Sequence, residues 1–308
     1  MFFLLSLGCK TKKDQTEKII IFHAGSLSVP MKHLKKEFEL LHPKIKILLE
    51  SSGSRTAARK ISDLHKPADI MASADYTVIY DLLVPVYADF CINFATNEMS
   101  LVYSSKSKYA DRINKDNWFD IILKDGVEYG HSDPNQDPCG YRSQLVWQLA
   151  ERHYKQKNLY QKLRQNCPLK NIRPKEVDLL ALLDAGALDY IFLYRSVAIQ
   201  HDLPYLQLPA KINLSSYQES DFYKKASIAI SGKKPGEKIL KTGKAIVYGV
   251  TIPKKAPNHK GATEFLKFMF SPSGMNIFAK LGQKPFLSPE TKEIEKIPVS
   301  LKTLVKAI

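Results

Sequence analysis

Between Ile19 and Leu83, short apolar runs alternate with segments of helical period, and this alternation limits the fold more than any other feature. Residues 19–22, 45–50 and 68–72 are runs of strand length. Between the first two, Met31, Leu34, Phe38 and Leu41 recur at spacings of three and four, which is one face of a helix. A second helix is expected through Ala57, Ala58 and Ile61, and a third over 77–83. The order is β-α-β-α-β, the pattern of a parallel sheet with helices on its faces and right-handed crossovers. Ligands of such sheets sit beyond the carboxyl ends of the strands.

The same grammar returns further on. Residues 92–95 and 99–103 read as strands leading out of the first unit. Helices are expected over 118–123, from 138 to about 157, and over 158–163, 173–183 and 196–200, with strands at 127–130 and 190–194. Residues 211–244 are rich in Lys, Ser and Gly, with one strand at 228–230. Residues 246–252 form an apolar strand returning the chain, followed by helices over 262–270 and 274–281. A chain of 308 residues suits two domains rather than one core. The expectation is a two-lobed α/β clamshell with its ligand in the cleft. Lobe 1 takes 19–96 plus 253–308, and lobe 2 takes 97–252.

The net charge is +15, from 46 basic and 31 acidic residues. Such an excess suits nucleic acid, a membrane surface or an anionic ligand. The lysines are scattered, as at Lys32, Lys35, Lys36, Lys254 and Lys255, and no zinc-finger or aromatic-rich RNA motif accompanies them. No nucleic-acid partner is expected. Residues 1–10 form a short apolar run ending in Leu7-Gly8-Cys9, below the ~20 residues a spanning helix needs. It reads as the end of an export signal. Leu7-Gly8-Cys9 resembles a bacterial lipobox, which implies lipidation at Cys9, a tether over 10–18, and residence in the periplasm or on the outer face of the cytoplasmic membrane. Cys91, Cys139 and Cys167 match no metal spacing and are no disulfide framework.

Residues 131–142 carry the densest chemistry. Asp137 suits a helix N-cap and Pro138 the first helical position, so free N–H groups collect there. A helix N-terminus is a ready anion site. Cys139 lies at that terminus, where a thiol pKa can fall. Ser26 and Ser54 each follow a strand and open a helix, Glu176 lies in the first turn after Pro174, and Tyr194 ends a strand. Each has an ordinary reading as a cap, a first-turn acid or a packing residue. Together they put serines in one lobe and acids in the other.

Several segments now carry a resemblance. They are His23-Ala24-Gly25-Ser26-Leu27, Ser52-Gly53-Ser54, Ala74-Asp75-Tyr76-Thr77-Val78-Ile79, Phe94-Ala95-Thr96-Asn97-Glu98-Met99, Asp137-Pro138-Cys139-Gly140-Tyr141-Arg142 and Arg173-Pro174-Lys175-Glu176. Arg195-Ser196-Val197-Ala198 and Ile246-Val247-Tyr248-Gly249 join them. Over about residues 19–290 the chain resembles the archaeal-type tungstate/molybdate-binding proteins of ABC importers. The resemblance implies a periplasmic-binding-protein fold, a bound oxyanion, and delivery to a membrane permease with its ATPase. It implies carboxylate ligation of the metal by Asp137 and Glu176. The oxo groups would be held by Ser26, Ser54, backbone N–H near Cys139, and Tyr194. The chain between Tyr160 and Arg173 is shorter than in that family. No cofactor, no enzymatic activity and a monomer are expected.

Two acids facing an anion have a physical rationale. Sulfate and phosphate have small, closed centres that a carboxylate only repels. Tungsten(VI) and molybdenum(VI) are larger Lewis acids and accept two more oxygens, so the acids select by rejecting the abundant competitors. The rivals are a binder of sulfate or phosphate, an enzyme using Cys139 or Asp137, and a sensor domain. No catalytic triad can be assembled, with His131 the nearest base to Cys139. No output domain accompanies a sensor.

Overall fold

A computed structural model describes residues 16–308. Cys9 and its expected lipidation lie outside the described residues, as does most of the expected 1–18 tether. The chain folds as two α/β lobes, as expected. The first is built on a seven-stranded sheet. Its Glu17–Ala24 strand lies one in from an edge, parallel to both Ile45–Ser52 and Ile70–Ser73. Every residue of Ile70–Ser73 is buried, as a strand covered on both faces must be. Helix Ser28–Leu41 lays Met31, Leu34 and Phe38 against this sheet. The Phe38 ring meets Phe265 of helix His259–Met269 edge-on at 5.3 Å. Each such fully buried side chain contributes about 1.5–3 kcal/mol.

Val247–Thr251 corrects the expected division of the chain. It pairs antiparallel with both Ile70–Ser73 and Ile92–Thr96, so it belongs to the first sheet, although residues up to 252 were expected in the second lobe. The reason is its apolarity: all five residues are buried, which only a central strand allows. Lys284–Thr291 and Lys306–Ala307 complete that sheet beyond Ile92–Thr96.

The second sheet runs Ile172–Arg173, Tyr129–Ser132, Tyr190–Tyr194, Met99–Tyr103, Tyr205–Gln207. Helix Pro138–His153 packs on it through Leu145, Trp147 and Leu149, with Trp147 edge-on to Phe192 at 5.4 Å. The outgoing crossing is Asn97-Glu98 alone, between Ile92–Thr96 and Met99–Tyr103. The return is stitched beside it. Met99 N–H donates to Asn213 O at 2.8 Å, and Ile246 N–H to Leu214 O at 2.8 Å. Buried Glu98 pairs with Arg195 at 3.2 Å and accepts from Asn213 at 3.0 Å.

Two further departures matter. The helix expected over 173–183 begins only at Leu179–Asp184, preceded by strand Ile172–Arg173 and a single 3-10 turn, Glu176–Asp178. The strand expected at 228–230 is one arm of a hairpin, Ser227–Ser231 with Lys238–Thr242. Among the described residues no helix is long and apolar enough to cross a membrane.

Candidate ligand cleft

The carboxyl ends of the strands face one another across the lobes, and they carry the candidate residues. Asp137 caps helix Pro138–His153 as its sequence foretold: its backbone is extended and Oδ1 accepts from Cys139 N–H at 3.2 Å. Its second oxygen does something a cap does not. Oδ2 accepts from the Glu176 N–H at 2.9 Å. This bond, spanning 39 residues, holds Glu176 in its short turn and explains why the expected helix does not start there.

Glu176 is fully buried, and its carboxyl faces the Asp137 carboxyl and the Ser26 backbone, with no ion pair to any described cation. A buried carboxylate without a counter-charge is among the most unfavourable groups a protein can hold. Burial pushes its pKa far up, and the charge of Asp137 pushes it further. Asp137 is pushed up as well, by burial, although its hydrogen bonds oppose the shift. The Glu176 carboxyl lies against the first-lobe turn Gly25–Leu27, where a Cβ on Gly25 would stand 2.6 Å from Oε2. Only glycine permits that approach.

Ser26 sits in the same turn, fully buried, with Oγ 2.9 Å from the Tyr248 hydroxyl. Asn97 of the crossing donates to that hydroxyl at 2.9 Å and to Ser196 Oγ at 2.8 Å. Ser54 opens helix Ser54–Ser62 without capping it. Its Oγ accepts from Ala74 N–H at 3.0 Å. Neighbouring Gly53 abuts Gln136 O and the Asp137 side chain. The structure thus brings Ser26 to Glu176, and the Ser54 turn to Asp137.

A second buried acid crosses the cleft in a different way. Asp75 caps helix Tyr76–Leu82, with Oδ1 accepting from Thr77 N–H at 2.9 Å. Oδ2 accepts from Tyr141 OH at 2.6 Å and pairs with Arg142 at 3.3 Å. Arg142 also donates to Ala74 O and to Tyr194 OH, both at 2.7 Å. Burial works to raise the Asp75 pKa, but Arg142, Lys241 and Lys244 outweigh it and hold the carboxyl well below the usual range. The sequence reading assigned no role to Asp75, Arg142, Asn97 or Tyr248. All four stand in the segments that carried the resemblance, and Asp75-Tyr76-Thr77 is a legible N-cap.

The profile of the bacterial extracellular solute-binding proteins matches residues 19–283. The chain belongs to that family. It is 45% identical over 98% of its length to the molybdate/tungstate-binding protein WtpA of Pyrococcus abyssi, covering 95% of that protein. It is 53% identical over 99% of its length to an uncharacterized solute-binding protein of Petrotoga mobilis, covering 96% of it. Among solved structures, the periplasmic molybdate-binding protein of Azotobacter vinelandii shares the fold at a TM-score of 0.63 and 16% identity, over 86% of this chain and 98% of that one. The sulfate-binding protein SubI of Mycobacterium tuberculosis shares it equally, at 0.63 and 13%, over 88% of each chain. The protein is therefore a binder rather than an enzyme, of an extracellular family.

Membership in a solute-binding family makes sense of Cys139. Its thiol is buried and donates to Phe192 O at 3.5 Å. Burial pushes its pKa far up, and Asp137 and Glu176 add to the shift. The lowering that a helix N-terminus can bring is overwhelmed. Its N–H already serves Asp137. Tyr194 is buried at its strand end as expected, and its hydroxyl accepts from Arg142 while its own proton stays available to donate.

Proposed function

We propose that this solute-binding protein captures molybdate or tungstate outside the cytoplasm and delivers it to an ABC importer. The ligand set we assign is Asp137 and Glu176 on the metal, with Ser26, Ser54, Tyr194 and backbone N–H near Cys139 on the oxo groups. The observation that carries this reading is the Glu176 carboxyl, buried, without a described counter-charge and pressed beside a second acid. A tetrahedral anion with a closed centre makes that arrangement worse. A Lewis-acidic centre that accepts both carboxylates satisfies them. Among the described residues no group of three or more His, Cys, Asp or Glu could hold a metal ion. Two acids suit a metal that arrives with its own oxygens. The molybdate/tungstate-binding relative, similar over nearly its full length, supports the same ligand class.

We assign the ligand to the cleft between residues 19–96 with 247–308 and residues 97–246. Closure turns about Asn97-Glu98 and the return segment, a hinge motion. We take it to act as a monomer. Lipidation at Cys9 would keep it at the membrane beside its permease. Calorimetry with tungstate, molybdate, sulfate and phosphate tests the reading. Binding of the first two alone, abolished in Glu176→Gln, is the expected result. Sulfate binding that survives this substitution would replace the reading with simple hydrogen-bonded capture.

A further inference from the structure

Arg55 directly follows Ser54 and is fully buried, yet it forms no ion pair with any described carboxylate. Its guanidinium instead gathers backbone carbonyls from two other parts of the chain. Nε donates to Asn135 O at 3.0 Å, and Nη2 donates to Ser231 O in the hairpin. Nη1 has no partner. The backbone N–H groups of Arg55 and Thr56 both donate to Gln136 O, at 3.1 and 3.3 Å. Burial works against its charge.

The hairpin Ser227–Ser231 with Lys238–Thr242 reaches both lobes. On the first-lobe side, Arg59 donates to Gly232 O, and buried Lys241 meets Thr77 at 2.7 Å and Asp81. On the second-lobe side, Ser231 N–H donates to Asn135 Oδ1 at 2.9 Å, and Ser227 exchanges hydrogen bonds with Gln148 at 2.8 and 3.0 Å. Asn135 and Gln136 immediately precede Asp137. One side chain therefore ties the helix of Ser54, the loop of Asp137 and the hairpin together.

We propose that Arg55 is a positioning residue and, with the hairpin, the latch of the closed cleft, setting how slowly the bound ion leaves. The inference rests on the oxyanion reading above. The latch closes after the ion has entered, so it acts on release and not on entry. Its planar fork holds carbonyls in fixed directions, which a lysine ammonium does not reproduce. Affinity differences of this kind are mostly differences in release rate.

The test is release of bound tungstate after a chase with excess molybdate, followed by rapid filtration and metal analysis. Two variants are compared with the wild type. Arg55→Lys keeps the charge and loses the fork. Arg59→Ala removes a contact at the outer end of the hairpin, together with an exposed ion pair to Asp63, and keeps the inference testable if the buried substitution disturbs folding. Release about tenfold faster in Arg55→Lys and about threefold faster in Arg59→Ala is expected, with association within about twofold of wild type in both. Unchanged release in both variants overturns the latch, as does association slowed as much as release is quickened. If the wild type binds neither tungstate nor molybdate, the oxyanion reading fails by itself. Hydrogen exchange on the ligand-free chain then tests the latch alone. The amides of Arg55 and Ser231 should exchange more slowly in the wild type than in Arg59→Ala, and equal rates overturn it.

Discussion

Two groups of buried acids face the same cleft and have opposite electrostatics. Asp75 is surrounded by compensation, with a helix N-terminus, a tyrosine hydroxyl and the Arg142 guanidinium around one carboxyl. Asp137 and Glu176 are surrounded by each other. Backbone N–H groups donate to Asp137, and the Glu176 carboxyl faces that acid with no counter-charge among the described residues. The first arrangement is neutralised within the protein and joins the lobes. The second has no such compensation, and in the reading proposed above the ligand completes it. A buried charge that is paired specifies structure, and one left without a counter-charge points to function.

The widest difference should appear in binding. Replacing Asp137 and Glu176 together with alanine should weaken tungstate binding by roughly a thousandfold or more, about 4 kcal/mol, in calorimetry. Asp75→Asn should leave the direct contacts of the ion in place. It should instead destabilise the fold by about 3–5 kcal/mol in urea denaturation, because it strands a buried guanidinium. If Asp75→Asn abolished binding without loss of stability, the division of labour between the two groups would be wrong.

A smaller effect of opposite sign separates them again. Glu176→Gln should raise the stability of the ligand-free protein at neutral pH by about 1–2 kcal/mol, since each pKa unit of unfavourable shift corresponds to ~1.4 kcal/mol. Thermal unfolding of ligand-free Glu176→Gln beside the wild type checks this. A lower melting temperature in the variant would mean that the carboxyl has a structural partner.

The pH dependence is the finest distinction. The folded pKa of Glu176 is raised, so the folded state holds its proton when the unfolded state has lost it. Stability contributed in this way is complete below the ordinary glutamate value near ~4.3 and falls as pH rises toward the raised value. Asp75 has the reverse sign. Its pKa is lowered, so its contribution is complete above the ordinary aspartate value near ~3.9 and is lost as pH falls below it. Ligand-free stability measured against pH should lose its acid limb in Asp75→Asn and flatten on the alkaline side in Glu176→Gln.

The comparison also marks what a sequence makes legible. Elements up to Met99–Tyr103 follow from local period, because each apolar run lies at its own place in the core. Asp137 is legible as a cap because Pro138 and the helix it opens are adjacent. The Asp75–Arg142 pair is not, since its partners stand 67 residues apart and meet only when the lobes do. The turn of Glu176 was misread as helix because its N–H bonds to a carboxylate 39 residues upstream. Strand Lys284–Thr291 was missed because Pro285 and Pro289 argue against a strand, and it pairs only briefly with Ile92–Thr96.

The crossing at Asn97-Glu98 has a mechanical consequence. The Asn97 amide bonds to Tyr248 on the first-lobe sheet and to Ser196 beside the second, and Tyr248 in turn meets Ser26. In the reading proposed above, fulcrum and recognition surface therefore share atoms. A shift of a few tenths of an ångström at Ser26 is applied where the lever arm is shortest and emerges enlarged at the far rims of the lobes. An outside partner could sense whether the carrier is loaded from those rims alone, without touching the cargo.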